Sequence, residues 1–89
     1  MHPKKVKYSI VLSKKAQKQL DKLPDNIANP IIESIALLED DPRPHGCKKL
    51  KNRDGYRIRV GDYRVIYDVF DSQLLIDIIV LGHRKDIYE

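Results

Sequence analysis

Two short runs of alternating side chains, separated by Gly61-Asp62, constrain the fold of this chain more than any other feature. Residues 56–60 and 63–70 alternate between two sets of side chains, which is typical of half-buried strands. A two-residue loop with glycine first favours a type II′ hairpin. The sequence therefore predicts two antiparallel strands, and the turn fixes their register because Val60 must lie opposite Tyr63.

This register assigns each side chain of the hairpin to one of two faces. Arg59 lies opposite Arg64 and Arg57 lies opposite Ile66, so the three arginines share one face of the predicted sheet. We expect the other face to be the core face, which the helices cover. Its side chains are all aromatic or apolar, namely Tyr56, Ile58, Val60, Tyr63, Val65 and Tyr67.

Further strands are predicted before and after the hairpin. Residues 5–12 alternate like a strand, residues 46–50 form a short strand, and residues 74–81 are almost continuously apolar, as in a strand covered on both faces. With two helices between the first two strands, the order is β-α-α-β-β-β-β. This order predicts an α+β fold in which two N-terminal helices pack on one face of a mostly antiparallel sheet.

The two helices are predicted between the first strand and the second. Ser13 is a typical N-cap, and apolar residues at helical spacing follow it as far as Leu23. Pro24 ends this helix and starts the next one. Pro30 either kinks the first turn of the second helix or stands at its first position, with Asn29 as the cap.

The register of the last strand depends on the loop that precedes it. A three-residue loop at 71–73 predicts that Arg64 pairs with Val80, and it avoids a repulsive pair of Asp68 with Asp77. A two-residue loop would exchange the two faces of the last strand, because side chains alternate along a strand.

Basic residues are concentrated in the middle of the chain. The net charge is +4 over 89 residues, yet residues 43–64 contain eight basic and two acidic side chains, a local charge of +6. Such a block predicts a surface that binds a polyanion, and a solvated basic face is the plain alternative. Lys49 and Lys51 belong to the block and are candidate phosphate-binding residues. The predicted register of the last strand adds Gly82 and Arg84 to the face of the three arginines.

The predicted Arg59–Arg64 pair is unfavourable in isolation. Like charges directly opposite each other in a sheet cost a few tenths to about 1 kcal/mol. One interpretation is that Asp62 or Asp68 neutralises the pair. We favour the other, that the pair binds phosphate, because the planar guanidinium donates two parallel hydrogen bonds and keeps its charge. Arg57 and Arg59, about 6.6 Å apart on one strand, would then contact neighbouring phosphates.

Composition favours one soluble, cytoplasmic domain that spans residues 1–89. The hydrophobic fraction of 42% and the charged fraction of 34% are those of ordinary globular proteins, which excludes disordered and fibrous classes. The longest apolar run, 78–81, is too short to cross a bilayer, and the N-terminus lacks the apolar segment of a secretory signal. A single cysteine, Cys47, fits a reducing compartment.

The sequence predicts neither a metal site nor a cofactor site. Its three histidines, at 2, 45 and 83, are scattered, and no HExxH motif, CxxC motif or glycine-rich phosphate loop occurs. RNA can be cut without a metal when its own 2′-OH attacks the adjacent phosphate, which requires a base, positive charge and a proton donor. The arginines supply the charge. Tyr88 is a candidate base whose pKa cationic neighbours would lower, and a packing role is its plain alternative.

Three stretches of the sequence resemble the RelE/ParE superfamily of bacterial toxins, and most closely its RelE branch. The resemblance covers nearly the whole chain. It implies an endonuclease that cuts mRNA in the ribosomal A site, without a metal, through a 2′,3′-cyclic phosphate. The three stretches are Gly46-Cys47-Lys48-Lys49-Leu50-Lys51, the hairpin from Tyr56 to Tyr67, and Gly82-His83-Arg84-Lys85-Asp86-Ile87-Tyr88.

The resemblance also implies roles for single residues. Tyr88 corresponds to the general base, and Arg64 and Arg84 correspond to the residues that stabilise the phosphate. Arg57 and Arg59 correspond to basic residues on the sheet that are lysines in the best-known RelE. Arginine holds its proton too tightly to act easily as a general acid. The candidates for the group that protonates the leaving oxygen are Arg84, His83 and a ribosomal group.

Partners and alternative activities follow from the same resemblance. It implies a RelB-type antitoxin, acidic and partly disordered, that covers the basic face, with the ribosome and mRNA as targets. A ParE-like toxin that inhibits DNA gyrase on the same fold is the alternative from another functional class. A third alternative is a catalytically weak protein that binds RNA or the ribosome through the same basic face.

Overall fold

A five-stranded sheet carries two helices on one face in residues 6–87, the part of the chain that the computed structural model describes. The strand order is β1-β5-β4-β3-β2, with β1 parallel to β5 and the other pairs antiparallel. The predicted α+β architecture is confirmed. The elements are β1 (Ser9–Leu12), α1 (Lys14–Asp21), α2 (Asp25–Leu37), β2 (Lys48–Lys49), β3 (Tyr56–Val60), β4 (Tyr63–Phe70) and β5 (Leu75–His83).

The hairpin of β3 and β4 has the predicted register. Arg59 lies opposite Arg64, and Gly61 has a φ of +60°, as a turn with glycine first requires. The predicted apolar set faces the helices, so the core lies between the helices and this side of the sheet. Buried core residues from both layers are Ala16, Ile31, Ile35, Leu38, Ile58, Val65, Tyr67, Ile76, Ile78 and Leu81.

The first half of β5 does not have the predicted register. A 3₁₀ turn at Asp71–Gln73 is followed by Leu74 in a left-handed conformation with a φ of +50°, so the loop includes Leu74. Asp68 therefore lies opposite Asp77, the pair that the predicted register avoids. The prediction is wrong because a leucine rarely adopts positive φ, and the sequence gives no signal for it here.

A β-bulge changes the register again in the second half of β5. The shift follows Ile66, where Ile79 of β5 is left as an extra residue between two cross-strand pairs. Arg64 consequently lies opposite Gly82, and the predicted pairing of Arg64 with Val80 is wrong. The bulge exchanges the faces of the residues beyond it, so Gly82 does lie on the arginine face, as predicted.

Side chains of α1 complete the hydrogen bonds of β5 beyond the end of β1. Ser13 is the N-cap, as predicted: its hydroxyl accepts a hydrogen bond from the N–H of Ala16 at 3.0 Å and donates one to the carbonyl of Ile79 at 2.6 Å. The Oε1 atom of Gln19 accepts from the N–H of Leu81 at 2.9 Å. These contacts fix α1 against the edge of β5, on the core side of the sheet.

The second helix begins at Asp25, directly after Pro24, and Pro30 lies inside it. The alternative start after Asn29 is therefore wrong. Pro30 leaves the carbonyl of Asn26 without its helical donor, but both residues are exposed, so water can satisfy that carbonyl. No helix within residues 6–87 is long and apolar enough to cross a membrane.

Asp77→Asn is expected to stabilise the protein at neutral pH. Burial raises the pKa of the Asp68 carboxyl, and the charge of Asp77 opposite raises it further. A carboxyl whose pKa is raised on folding contributes stability at low pH, and this contribution is lost as the pH rises through the folded-state pKa. Removing the Asp77 charge should therefore add a few tenths to about 1 kcal/mol to the free energy of unfolding at neutral pH.

Urea unfolding at neutral and at strongly acidic pH measures this gain. We expect the difference between Asp77→Asn and the parent protein to vanish where both carboxyls are protonated. A gain of the same size at both pH values would contradict the electrostatic explanation.

Candidate functional site

Four basic side chains lie together on the face of the sheet opposite the helices, which we call the open face. Lys48 lies opposite Arg57, and Arg59 lies opposite Arg64. Cross-strand partners and alternate residues of one strand share a face. Lys48, Arg57, Arg59 and Arg64 therefore form one group across β2, β3 and β4, which we call the basic cluster.

The arginines of the basic cluster differ in exposure. Arg57 is only 7% exposed, Arg64 is partly buried and Arg59 is open to solvent. Burial lowers the pKa of Arg57, and the positive charges of Arg59 and Arg64 lower it further. The repulsion predicted from the hairpin register therefore acts on all three arginines, and a bound anion would relieve it.

The two acidic residues proposed to neutralise the Arg59–Arg64 pair lie elsewhere. Asp62 is beside Arg84, with 3.9 Å between its Oδ1 and the Nε of Arg84. Asp68 lies further along β4, and its Oδ1 atom is buried without a hydrogen-bond partner among the described residues. Within residues 6–87, no carboxylate forms an ion pair with Arg59 or Arg64.

Arg64 combines one internal hydrogen bond with one unused donor. Its Nη1 atom donates to the carbonyl oxygen of Ile87 at 3.3 Å. Its Nε atom is buried and has no acceptor in the part of the chain that is described. An unused buried donor costs free energy, and an acceptor that reached this Nε atom would recover that cost.

The chain continues past β5 beside the turn of the β3–β4 hairpin. The N–H of Arg84 donates to the carbonyl of Asp62 at 2.7 Å, one step beyond the last pair of β4 with β5. The side chain of Arg84 is 61% exposed. Arg84 is therefore available to a ligand at the turn end of the sheet, whereas Tyr88, the candidate base, lies outside the described residues.

Three other candidates lie apart from the basic cluster. Lys49 is opposite Tyr56, on the helix side of the sheet, where it lines a cavity of about 340 Å³. His83 is opposite Tyr63, again on the helix side, and the two rings meet edge to face with centroids 5.5 Å apart. Lys51 is exposed in the loop after β2. The sheet thus separates the first two from the arginines.

Arg43 belongs to the basic block of the sequence, but it is engaged within the protein. Its guanidinium donates to both carboxylate oxygens of Asp71, at 3.2 and 2.8 Å, and its Nε donates to the hydroxyl of Tyr56 at 2.9 Å. The hydroxyl of Tyr8 donates to the same carboxylate at 2.7 Å. The hydrogen bonds from Arg43 and Tyr8 lower the pKa of Asp71. Arg43 and Asp71 together therefore join four segments of the fold.

Lys48 is a member of the basic cluster that sequence reasoning did not identify. The loop 50–55 joins β2 to β3, and no short turn in it fixes the register of the two strands. The structure closes this loop with a hydrogen bond from the N–H of Leu50 to the carbonyl of Gly55 at 3.0 Å. Alternation alone shows that Lys48 and Lys49 lie on opposite faces, but not which of them joins the arginines.

Arg59→Thr is expected to stabilise the protein and to weaken its binding to RNA. The change removes the like charge opposite Arg64, which should add a few tenths to about 1 kcal/mol to the free energy of unfolding at low ionic strength. Salt should reduce this gain by screening. The slope of log K against log salt for a single-stranded oligoribonucleotide should fall by roughly 0.7, the value for one lost phosphate contact.

Thermal unfolding and fluorescence anisotropy, each over a series of salt concentrations, measure the two effects. Arg53→Thr, in the exposed loop before β3, is the control and should give no gain in stability. A destabilised Arg59→Thr protein with unchanged RNA binding would contradict the assignment of the basic cluster to phosphate.

Comparison with known proteins agrees with this geometry. Residues 10–88 match the sequence profile of the family described as ParE toxin of type II toxin–antitoxin system, parDE. The chain is 29% identical to the toxin RelE of Mycobacterium tuberculosis over 83 residues, which cover 91% of this chain and 86% of that protein.

Two solved toxin structures share the fold and a substantial part of the sequence. One is the archaeal RelE–RelB complex of Pyrococcus horikoshii, with a TM-score of 0.80, 33% identity and coverage of 91% of this chain and 99% of that chain. The other is the RelB–RelE complex of Methanococcus jannaschii, with a TM-score of 0.71, 29% identity and coverage of 88% and 94%. The protein belongs to the RelE/ParE superfamily of toxins of type II toxin–antitoxin systems.

Proposed function

We propose that this toxin is a ribosome-dependent endonuclease that cuts mRNA through attack of a 2′-OH on the adjacent phosphate, without a metal ion. The observation that carries the proposal is the basic cluster. It sets Arg59 directly opposite Arg64 on an open face, and no carboxylate of residues 6–87 forms an ion pair with either. Such an arrangement is costly for the free protein and suits a polyanion that carries charge at each nucleotide.

The reaction forms a bond between the 2′-oxygen and phosphorus and breaks the bond between phosphorus and the 5′-oxygen. Negative charge develops on the non-bridging oxygens of the phosphorane, where Arg64, Arg59 and Arg84 would donate hydrogen bonds. Removal of one preorganised donor of this kind typically slows a reaction by about 10²–10³-fold. In our proposal Tyr88 takes the proton of the 2′-OH, the role that the resemblance to RelE implies for it.

The 5′-oxygen must gain a proton as it leaves. The guanidinium groups of Arg84 and of the basic cluster hold their protons too tightly for this step. His83 packs against Tyr63 on the helix side of the sheet, away from the basic cluster. The proposal therefore assigns the proton to a ribosomal group or to water in the decoding site.

The shape of the site supports the proposed dependence on the ribosome. The basic cluster lies on the surface of a sheet, and its members bind phosphate, which is common to all sequences. Efficient in-line attack requires reacting atoms held about 3–3.5 Å apart. In our proposal the ribosome supplies this alignment by holding the codon, and the toxin supplies charge and proton transfer.

A RelB-type antitoxin is the proposed protein partner. The solved relatives from Pyrococcus horikoshii and Methanococcus jannaschii are complexes of RelE with RelB. The local charge of +6 in residues 43–64 favours an acidic partner segment, which would neutralise the basic cluster and block access of RNA to it.

Arg64→Ala and Tyr88→Phe are each expected to lower the rate of mRNA cleavage by about 10²-fold or more. The first variant removes a donor to the phosphorane and the second removes the proposed base. Primer extension on a translated reporter mRNA, with an untranslated copy as reference, measures cleavage.

Matched controls separate these effects from a loss of folding. Tyr8→Phe removes a hydroxyl that donates a hydrogen bond to Asp71, at a place distant from the open face. Lys18→Ala removes one positive charge from α1. Both controls should cut at close to the parent rate. Parent-like cleavage by both Arg64→Ala and Tyr88→Phe would overturn the assigned site.

Inhibition of DNA gyrase is the second candidate function, because the matching sequence profile is that of ParE toxins. A supercoiling assay with purified gyrase distinguishes the two. Growth arrest with intact mRNA and inhibited supercoiling would establish this second function and exclude the nuclease.

A further inference from the structure

The chain reverses direction after β5 and returns to the open face at Ile87. The N–H of Asp86 donates to the carbonyl of His83 at 2.8 Å, which closes the turn. Ile87 is then only 8% exposed, although it lies near the C-terminus. It packs with Leu50 and Ile66 in a small apolar cluster, separate from the main core. An apolar side chain is thus held firmly beside the basic cluster.

Gly82 provides the space that Ile87 occupies. A Cβ atom at position 82 would lie 3.0 Å from both Cγ1 and Cδ1 of Ile87, closer than nine in ten contacts of Cβ atoms in proteins, so Ile87 would have to move. The φ angle of Gly82 is not among the positive values in the described chain, so its backbone does not require glycine. The close approach of the Ile87 side chain is therefore what a larger residue at position 82 would disturb.

The same contact places the backbone carbonyl of Ile87 against Arg64. Gly82 is the cross-strand partner of Arg64, and the carbonyl oxygen of Ile87 accepts a hydrogen bond from Nη1 of Arg64 at 3.3 Å. That carbonyl belongs to the peptide bond between Ile87 and the next residue of the sequence, Tyr88. Ile87 therefore determines where the chain passes the guanidinium.

We propose that Ile87 is a positioning residue for cleavage, with Gly82 as the socket that receives its side chain. Anchored in this socket, Ile87 holds its carbonyl oxygen against Nη1 of Arg64 and so orients the guanidinium that binds the phosphate. The inference rests on the proposed nuclease function and adds residues that touch no substrate. A displacement of about 1 Å in such an arrangement can slow a reaction by about 10²-fold.

A double-mutant cycle tests the socket. Gly82→Ala should lower the single-turnover cleavage rate on programmed ribosomes by about 10-fold or more, because the new methyl group displaces Ile87. In an Ile87→Ala background the atoms that it would meet are absent, so the same substitution should have less than about a twofold effect. An equal loss in both backgrounds, or no loss in either, would overturn the proposal.

Substitutions of Ile87 itself separate positioning from stability. Ile87→Ser should lower the rate at saturating ribosome concentration by about 10- to 100-fold and change the half-saturating concentration by less than twofold. Ile87→Val, which keeps an apolar branched side chain, should recover most of the rate. Ile32→Ser, a half-exposed isoleucine of α2, is the control and should cut like the parent. A loss confined to the half-saturating concentration would contradict a positioning role.

A measurement without cleavage distinguishes failure of this inference from failure of the proposed function. The ¹⁵N heteronuclear NOE of the backbone amides of Asp86 and Ile87 reports whether the chain is held at the socket. We expect Ile87→Ser and Gly82→Ala to lower this NOE while amides of β3 and β4 keep theirs. If the parent protein does not cut mRNA but the NOE falls as expected, the anchor stands and the nuclease function fails. If the parent protein cuts mRNA and neither variant changes the NOE or the rate, the positioning role of Ile87 is wrong and the nuclease function stands.

Discussion

The pairing of β3 with β4 across the Gly61-Asp62 turn determines which side chains of the sheet face the helices and which face the open side. It buries Ile58, Val65 and Tyr67 under the helices and, by the same alternation, places Arg59 opposite Arg64 on the open face. A slip of one residue would exchange these two sets and destroy the core and the basic cluster together. The free energy gained by packing the core therefore offsets the repulsion between the arginines.

The β-bulge in β5 determines which residues in the last part of this strand face the core and which face the basic cluster. Without the extra residue Ile79, Leu81 would face the arginines and Gly82 would face the helices. The bulge reverses this order, so Leu81 is buried in the core and Gly82 is free to receive Ile87. Ser13, the N-cap of α1, satisfies the carbonyl of the extra residue Ile79 by donating a hydrogen bond to it. The bulge thus places Gly82, the only glycine of β5, beside Arg64, where it forms the socket for Ile87.

The predictable part of this protein is the part governed by short-range rules. A glycine-first turn and strict alternation were sufficient for the β3–β4 register and for three of the four members of the basic cluster. The register of β5 was not predictable, because it depends on positive φ at Leu74 and on a bulge, neither of which leaves a signal in the sequence. Lys48 was missed because only a long loop sets its register, and the burial of Ile87 depends on contacts distant in the chain.

In the proposed mechanism the Arg59–Arg64 pair holds the phosphate that is cut. An electron cryomicroscopy structure of the toxin on a ribosome whose A-site codon carries 2′-deoxyribose, and so cannot be cleaved, tests this most directly. We expect the open face to meet the codon, with a phosphate oxygen within hydrogen-bond distance of the Arg64 guanidinium. A toxin that meets the ribosome through its helices, with the basic cluster turned away from mRNA, would contradict the account.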